Sequence, residues 1–250
     1  MKAMLLAAGI GSRMGDLTLH EPKALITLNR KPLIEHVINR LKGAGVSEII
    51  INVYHFADQI IEFISANNNF NIRIEFSREK NLLDTGGGLK NAGWFFDNDK
   101  PFILHNVDII SEINLDVLLK EHQRLDALAT LAVRKRNTSR QLLFDEEMCL
   151  LGWKSTGDFR QQEIISEHHV ENLKEYAFLG VHVLSPDIFK LLPSSSKFSI
   201  ISAYLQIAAQ CKRIFGSVQN KGFWIDVGNP QNIPLAESYL NNLSGAHRKT

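Results

Sequence analysis

The N-terminal stretch MKAMLLAAGIGSRMGDLTLHEPKAL, residues 1–25, sets the interpretation of the whole chain. Its apolar run, residues 3–8, is short, continuous and followed by glycine, which is typical of a central strand covered on both faces. Lys2 and the apolar run after it resemble the charged and apolar regions at the start of a signal peptide. The run, however, is shorter than the ~7–15 apolar residues that such a segment needs, and it ends at Gly9 rather than at a cleavage site. We therefore interpret residues 3–8 as a buried strand that leads into a glycine-rich turn.

A regular alternation of strand and helix patterns follows this turn. Apolar residues recur at helical spacing in PLIEHVINRLKGAG, whereas IRIEFS alternates apolar and polar residues as a half-buried strand does. The patterns predict helices over residues 32–45, 57–68, 89–96, 115–125 and 200–210, and strands over 3–8, 47–53, 72–77, 101–110, 127–135 and 176–185. This rhythm predicts the α/β class and a Rossmann-like three-layer αβα architecture with a mostly parallel central sheet.

The rhythm changes between residues 135 and 175. QLLFDEEMCLLGWK indicates two short strands around an acidic turn, and the polar stretch after it is only weakly periodic. GFWIDVG, near the end, indicates a strand and turn before a last helix near 230–242. We predict one domain over residues 1–243, in which 135–175 is an insertion covering one side, where substrate specificity tends to reside. Residues 244–250 are expected to be a disordered tail.

Composition limits the class of protein. The chain has 28 Lys and Arg against 27 Asp and Glu, and RKR at 134–136 is its one notable basic run, so nucleic acid is not an expected partner. Cys149 and Cys211 lie far apart, which fits neither a disulfide framework nor a metal cluster and indicates a reducing cytoplasm. No apolar run approaches the ~18 residues of a membrane span, so no membrane association is expected.

The glycine turn is the first candidate functional element. Gly9 and Gly11 stand where a strand meets a helix, so the backbone can approach a phosphate and aim N–H groups at it. A Walker A loop would need GK[ST] after a four-residue gap, which is absent. A dinucleotide fingerprint would need a third glycine where Met14 stands. What remains is a glycine turn with two cations, Arg13 and Lys23, a pattern that favours a phosphorylated ligand.

Six motifs then follow one another along the chain: LAAGIGSRM, LTLHEPKAL, LLDTGGGLKNA, HNVD, YAFLGVHVLSP and FWIDVG. In this order they resemble the sugar-1-phosphate nucleotidyltransferases, and the resemblance runs over nearly the whole chain. It implies a GT-A-like nucleotide-diphospho-sugar transferase fold. DTGGG and WIDVG are most similar to the uridylyltransferases that act on N-acetylmuramate 1-phosphate and to the short guanylyltransferases that act on mannose 1-phosphate.

The reaction that this resemblance implies joins a nucleoside triphosphate to a sugar 1-phosphate. A phosphate oxygen attacks the α-phosphorus and pyrophosphate leaves. Because the nucleophile is already an anion, no general base is required, and catalysis is mainly alignment plus fixed positive charge. Arg13 is suited to the triphosphate, and Lys23 can hold a non-bridging oxygen of the phosphate at the reacting centre.

Two aspartates are candidate metal ligands. Asp108 follows the apolar FILHNV and Asp226 lies in FWIDVG, where an unpaired carboxylate is costly. A Mg²⁺ ion that bridges the α-phosphate and both carboxylates would offset that cost. The resemblance puts the family's metal ligands at the same two positions, although Val107 stands where the family usually has glycine.

The resemblance also implies contacts for the base and the sugar. Backbone atoms of the first strand, of the glycine turn and of the later glycine segment are expected to bind the nucleotide: Leu6, Ala8, Gly9, Gly11, Thr85, Gly86 and Gly87. Asn106 and Gly180 are expected to contact the sugar.

Three functions remain open at this point. The best match is a uridylyltransferase acting on N-acetylmuramate 1-phosphate, and the alternative is a guanylyltransferase acting on mannose or heptose 1-phosphate. A hypothesis of another class is a non-catalytic sensor of nucleotide sugars. The sequence does not indicate the oligomeric state.

Overall fold

The computed structural model describes residues 1–156, 161–164, 172–211 and 213–246. Their strands are β1 (Lys2–Leu6), β2 (Thr27–Leu28), β3 (Lys31–Pro32), β4 (Glu48–Val53), β5 (Arg73–Arg78), β6 (Phe102–Asn106), β7 (Ile109–Ser111), β8 (Ala129–Arg134), β9 (Arg140–Phe144), β10 (Leu150–Ser155), β11 (Gln161–Ile164), β12 (Lys174–Leu184), β13 (Ile214–Val218) and β14 (Trp224–Asp226). Their α-helices are α1 (Leu33–Gly43), α2 (Ala57–Ala66), α3 (Asp84–Asn91), α4 (Leu115–Arg124), α5 (Ile200–Cys211) and α6 (Ile233–Ala246).

The main sheet runs in the order β11-β10-β9-β12-β6-β1-β4-β5, with β8 beside β12 and β13 beside β8. The strands β5, β4, β1 and β6 are parallel to one another. Strand β12 pairs antiparallel with β6, β8 and β9, so the sheet as a whole is mixed. The predicted α/β class with mostly parallel central strands is confirmed.

Side chains of the central strands alternate between two buried layers. Ala3 and Leu5 of β1 point into one apolar cluster with helices α1, α2 and α4. Met4, between them, points into the other cluster with α3 and α5. All three side chains are fully buried, which explains why β1 reads as a continuous apolar run instead of an alternating one.

The structure differs from the sequence prediction at several elements. The glycines of DTGGG lie inside α3, which begins at Asp84, rather than before the helix. The predicted strand 101–110 is interrupted at Val107 and Asp108, because Ile109–Ser111 leaves the main sheet to pair with Trp224–Asp226. Strand β13 was not predicted; it is held by parallel pairing with the distant β8.

The insertion predicted at 135–175 forms an extension of the sheet. Strands β9 and β10 are a hairpin that joins the first half of β12, and β11 pairs with β10. Residues 157–160 and 165–171 of this stretch, and 247–250 of the predicted tail, lie outside the described residues, while α6 continues to Ala246. The single-domain assignment and the cytoplasmic location stay predictions. In the described part of the chain, every helix is too short or too polar to cross a membrane.

Candidate active site

The glycine turn begins where β1 ends. Gly11 has φ +74°, and a Cβ there would lie 2.8 Å from Cγ2 of Thr18, so both backbone and space require glycine. The amide of Met14 donates to the carbonyl of Gly11 over 2.7 Å, which starts the short 3₁₀ segment Ser12–Thr18. This segment carries the exposed Arg13. Nothing lies within 4 Å of a Cβ built on Gly9, so that side of the turn is open to a ligand.

Lys23 and Asp108 meet across this turn. The ammonium of Lys23 donates to Oδ2 of Asp108, and the two side chains are only 11% and 15% exposed. Asp108 stands between β6 and β7, where the chain leaves the main sheet. Val107 before it is buried, and its amide donates to the carbonyl of Leu6 over 3.2 Å. The structure therefore accommodates valine where the family usually has glycine.

Asp226 arrives at the same place from the other end of the chain. It ends β14, opposite Ile109 of β7, and the amide of Val227 donates to the carbonyl of Asp108 over 2.9 Å. Its Oδ1 accepts a hydrogen bond from the amide of Gly228 over 2.7 Å. Burial, and then the negative charge of Asp108, raise the pKa of Asp226 above its ordinary value.

Three of the four predicted charged residues approach Gly228, and the fourth, Asp108, is hydrogen-bonded to one of them. A Cβ there would lie 2.5 Å from Nζ of Lys23, 2.7 Å from Oδ1 of Asp226 and 2.9 Å from Nη2 of Arg13. Lys23 in turn holds Asp108. Gly228 lies in the motif FWIDVG, but it was not predicted as a site residue from the sequence. The structure thus brings two cations and two carboxylates, predicted from four separate segments, around one glycine.

A cavity of about 500 Å³ lies on the β1 side of this group. Seven of the predicted site residues line it: Leu6, Ala8, Gly9, Lys23, Thr85, Asn106 and Asp108. Polar residues that were not predicted form its floor. Oδ1 of Asn52 accepts from the amide of Ala7 over 2.8 Å, and Nδ2 of Asn52 donates to Glu79 over 2.7 Å. Burial raises the pKa of Glu79.

The triple glycine has a packing role behind this cavity. A Cβ on Gly86 would overlap the ring of Phe198, and one on Gly87 would overlap the carbonyl oxygen of Ser196. Their amides donate to the carbonyl of Phe198 over 3.0 and 3.2 Å. Gly88 is glycine because a Cβ would lie 2.7 Å from Nδ2 of Asn52. Gly86 and Gly87 lie behind Thr85 rather than in the cavity lining, and their contact with a nucleotide stays a prediction.

The two residues predicted to contact a sugar lie together. Gly180 has φ +75°, and a Cβ there would lie 3.0 Å from Nδ2 of Asn106 and 2.8 Å from Cγ1 of Ile109. Gly180 is therefore required both by its backbone and by the close approach of β7. The structure explains this glycine by packing beside Asn106, and the sugar contact stays a prediction.

A larger cleft, of about 1130 Å³, lies on the side of the insertion. Arg13 and Asp226 line it together with Trp153 and Phe178. Lys154, next to Trp153, points elsewhere and pairs with Glu175. Arg136 and Arg140 also line this cleft, and sequence reasoning missed both. The only signal was the short basic run at 134–136, which is too common to indicate a site.

The carboxylate pair has the chemistry of a magnesium site that is completed by substrate. In the part of the chain that the structure describes, no three His, Cys, Asp or Glu side chains are arranged to enclose a metal. Asp108 and Asp226 could supply oxygen ligands, and burial together with the charge of Asp108 raises the pKa of Asp226. Mg²⁺ characteristically binds one or two carboxylates and takes phosphate and water oxygens for the rest. The residues present fit such an ion.

Comparisons with known proteins agree with this geometry. Residues 2–242 match the family profile described as nucleotidyl transferase. N-acetylmuramate alpha-1-phosphate uridylyltransferase of Caulobacter vibrioides is 30% identical over 249 residues, which cover 95% of this chain and 96% of that protein. Mannose-1-phosphate guanyltransferase of Emericella nidulans is 28% identical over 255 residues, covering 100% of this chain and 67% of that protein.

A solved structure has the same fold. HddC from Yersinia pseudotuberculosis, crystallised with GMP-PN, superposes with a TM-score of 0.74 at 22% identity, covering 96% of this chain and 99% of that one. At this identity the likeness concerns the fold alone. The family profile spans nearly all of the sequence, and a relative of similar length aligns from end to end. The chain therefore belongs to the sugar-1-phosphate nucleotidyltransferases of the nucleotidyl transferase family.

Proposed function

We propose that this chain transfers a uridylyl group from UTP to N-acetylmuramate 1-phosphate. The observation that carries the proposal is the meeting of Arg13, Lys23, Asp108 and Asp226 around Gly228. Lys23 and Asp108 line the smaller cavity, whereas Arg13 and Asp226 line the larger cleft. Two substrates bound in the two spaces would bring their phosphates together at this group. The similarity to the Caulobacter relative supports the choice of nucleotide and sugar.

The reaction needs alignment and positive charge. The phosphate oxygen of the sugar 1-phosphate forms a bond to the α-phosphorus, the bond from that phosphorus to the β-phosphate oxygen breaks, and pyrophosphate leaves with the electron pair. In our proposal Lys23 exchanges Asp108 for a non-bridging oxygen of the reacting phosphate. Arg13, which lines the larger cleft, holds the departing phosphates. Both cations stabilise charge that grows in the transition state.

The nucleotide itself would lie along the glycine turn. The open side of Gly9 leaves room for its phosphates, and Leu6, Ala8 and Thr85 line the cavity where the base would bind. Asn106 and Gly180 are proposed to contact the sugar. Asp108 and Asp226 would hold Mg²⁺, which would add positive charge beside the α-phosphate.

A guanylyltransferase is the second candidate. It is favoured by the similarity to fungal mannose-1-phosphate guanyltransferases over the full length of this chain.

Pyrophosphate release with Mg²⁺ tests the proposal. Each nucleoside triphosphate is paired with the 1-phosphates of N-acetylmuramate, N-acetylglucosamine, mannose, glucose and heptose. We expect the highest kcat/KM for UTP with N-acetylmuramate 1-phosphate. A preference for GTP with mannose or heptose 1-phosphate would replace it by the second candidate. Nucleotide binding without turnover on any pair would favour the sensor hypothesis.

The matched controls are two aspartate variants. Asp108→Asn removes a proposed metal ligand with little change in shape, and we expect turnover to be lost. Asp116→Asn makes the same change at an exposed position in α4, outside both cavities, and should leave turnover unchanged. Near-normal turnover of Asp108→Asn with Mg²⁺ would contradict the metal assignment.

A further inference from the structure

The lining of the larger cleft has more positively charged side chains than the binding of the reacting phosphates requires. Its charged lining, among the described residues, consists of Arg13, Arg136, Arg140 and one carboxylate, Asp226. Arg13 and Asp226 belong to the group around Gly228. In the described part of the chain, neither Arg136 nor Arg140 forms an ion pair. Asp226 interacts electrostatically with Arg136, and among the described residues the three arginines of the cleft lining outnumber its one carboxylate.

Arg136 is held in place by an aromatic ring. Its guanidinium lies 4.6 Å from the centroid of the Trp224 ring, a cation–π arrangement that fixes the plane of the group. The indole N–H of Trp224 donates to the carbonyl of Leu179 over 2.9 Å, so the ring itself is anchored. A side chain that is held before a ligand binds loses less conformational entropy when it does. Arg136 is exposed to the cleft but is oriented by the Trp224 ring, which favours a role in binding a ligand there.

Arg140 stands on the insertion. It begins β9 and is paired in register with Ser155 of β10, which also lines the cleft. Trp153, one step along the same hairpin, supplies an apolar surface beside it. Arg136 and Arg140 thus belong to the wall formed by the end of β8 and the insertion. Asn106, the proposed sugar contact, lines the smaller cavity together with Lys23 and Asp108. In our proposal the sugar therefore extends from Asn106, past the group around Gly228, toward the wall that carries Arg136 and Arg140.

A neutral sugar ring carries hydroxyl and amide groups, and none of these has a negative charge that would pair with two guanidinium groups. A carboxylate on the sugar would accept paired hydrogen bonds from a guanidinium, the geometry in which arginine binds most strongly. We infer that Arg136 and Arg140 are specificity-determining residues that bind a carboxylate carried by the sugar of the sugar 1-phosphate. This inference rests on the proposed function and names the substrate class as sugar acid 1-phosphates.

The test compares three sugars that differ at one group. N-acetylmuramate 1-phosphate carries a lactyl carboxylate, its lactyl amide has the same bulk without the charge, and N-acetylglucosamine 1-phosphate lacks the lactyl group. For the unmodified protein with its preferred triphosphate, we expect kcat/KM to fall roughly 10- to 100-fold from the carboxylate to the amide, because a charge-assisted hydrogen-bond pair is lost. Equal use of the three sugars would overturn the inference.

Variants then assign the effect to the arginines. Arg136→Met and Arg140→Met should each lower kcat/KM for the carboxylate sugar by roughly 10-fold or more, mainly through KM, and leave the neutral sugars within about 2-fold. Arg136→Lys, which keeps the charge but loses the planar fork, should be intermediate. Lys135→Met is the matched control, since Lys135 lies over the ring of Tyr176 and outside the cleft lining. Equal losses with all three sugars would contradict the assignment.

These outcomes separate the inference from the function on which it rests. If N-acetylmuramate 1-phosphate is the preferred sugar but the two arginine variants lose activity equally with all three sugars, the proposed function stands and the role of Arg136 and Arg140 is wrong. If no sugar 1-phosphate supports pyrophosphate release while the protein is folded, the proposed function fails and the inference fails with it.

Discussion

The ammonium of Lys23 donates a hydrogen bond to Oδ2 of Asp108, 85 positions further along the chain, and both side chains are largely buried. Each charge therefore compensates the other in the absence of substrate. A phosphate that binds here offers Lys23 a second anionic partner, and a divalent cation offers Asp108 a second cationic one. The pair thus keeps two oppositely charged groups in place until both ligands arrive.

Replacing Lys23 by alanine should depress turnover. The change removes fixed positive charge from the reacting phosphate, and we expect kcat to fall roughly 10²- to 10³-fold, as when one charge-stabilising donor is removed from other enzymes. The measurement is pyrophosphate release at saturating substrates. Lys31→Ala is the control, because Lys31 is 55% exposed and pairs with Glu35 one helical turn away. Unchanged kcat and unchanged KM for both substrates in Lys23→Ala would show that the assigned role is wrong.

Replacing Asp226 by asparagine should abolish activity and yet stabilise the substrate-free protein. Burial and the charge of Asp108 raise the folded-state pKa of Asp226. With a folded pKa above the unfolded value, the folded state binds more protons between the two values, so stability is lost as pH rises through the folded pKa. At pH 7.5 the ionised side chain is therefore a cost that asparagine removes, while its Oδ1 can still accept from Gly228.

Melting temperatures without and with Mg²⁺ measure this effect. Without Mg²⁺ at pH 7.5, Asp226→Asn should melt higher than the unmodified protein, and the difference should shrink toward pH 4. Addition of Mg²⁺ and nucleotide should raise the melting temperature of the unmodified protein more than that of the variant. A lower melting temperature for the variant at pH 7.5 would argue against uncompensated charge at Asp226.

Adding one methyl group at Gly228 should damage the site without damaging the fold. The new Cβ would lie within 3 Å of the ends of Lys23, Asp226 and Arg13, which are flexible and can move aside. Gly228 is not among the positive-φ glycines, so alanine fits the backbone. We expect Gly228→Ala to lose at least roughly 10-fold in kcat, since displacement by about 1 Å costs much in aligned reactions, with little change in melting temperature.

The control for this prediction is another glycine to alanine change. Nothing lies within 4 Å of a Cβ built on Gly43, at the end of α1, and its φ is not positive. Gly43→Ala should therefore leave both activity and fold intact. If Gly228→Ala is as active as Gly43→Ala, the four side chains around Gly228 do not need their present arrangement for the reaction.

Features with a local signal could be predicted from the sequence. The buried strand β1 and the amphipathic helix α1 depend on neighbouring residues, and both are present in the structure. Asp108 and Asp226 stood out because each is charged within an apolar segment, and the structure brings them to one glycine. Functional groups of parallel sheets often lie at the carboxyl ends of the strands. The positions of Asp108 and Asp226 at strand ends were therefore informative even without knowledge that β7 pairs with β14.

Features that depend on pairing between distant segments could not be predicted. Nothing in HNVDII indicates that the chain leaves the main sheet at Val107 to pair with β14. The stacking of Arg136 on Trp224 likewise depends on β8 and β14 meeting in space. Asn52 did offer a signal, as a lone amide in the apolar strand IIINV, since a buried polar group needs a partner. Its partners, Ala7 and Glu79, were beyond local reasoning.

Three buried histidines, His105, His122 and His182, should make the protein sensitive to acid, and burial lowers the pKa of His122 to about 4. His105 and His182 are fully buried, and burial lowers the pKa of His105 to about 4 and that of His182 to about 3. Below the unfolded pKa of about 6.5, these histidines bind protons in the unfolded chain but stay neutral in the folded state. The stability that these neutral side chains contribute is therefore present above that value and is lost as pH falls toward the folded pKa, by about 1.4 kcal/mol per pH unit for each histidine.

Urea unfolding between pH 7.5 and 4.5 measures this loss. His182→Gln removes one of the three groups, along with the hydrogen bond between His182 Nδ1 and the Tyr204 hydroxyl, so its free energy of unfolding should be lower at pH 7.5. The informative quantity is the slope: between pH 6 and 4.5 it should be shallower in His182→Gln by about 1.4 kcal/mol per pH unit. His20→Gln, at an exposed position, should keep the slope of the unmodified protein. Equal slopes in all three proteins would mean that His182 takes up its proton in the folded state as readily as in the unfolded chain.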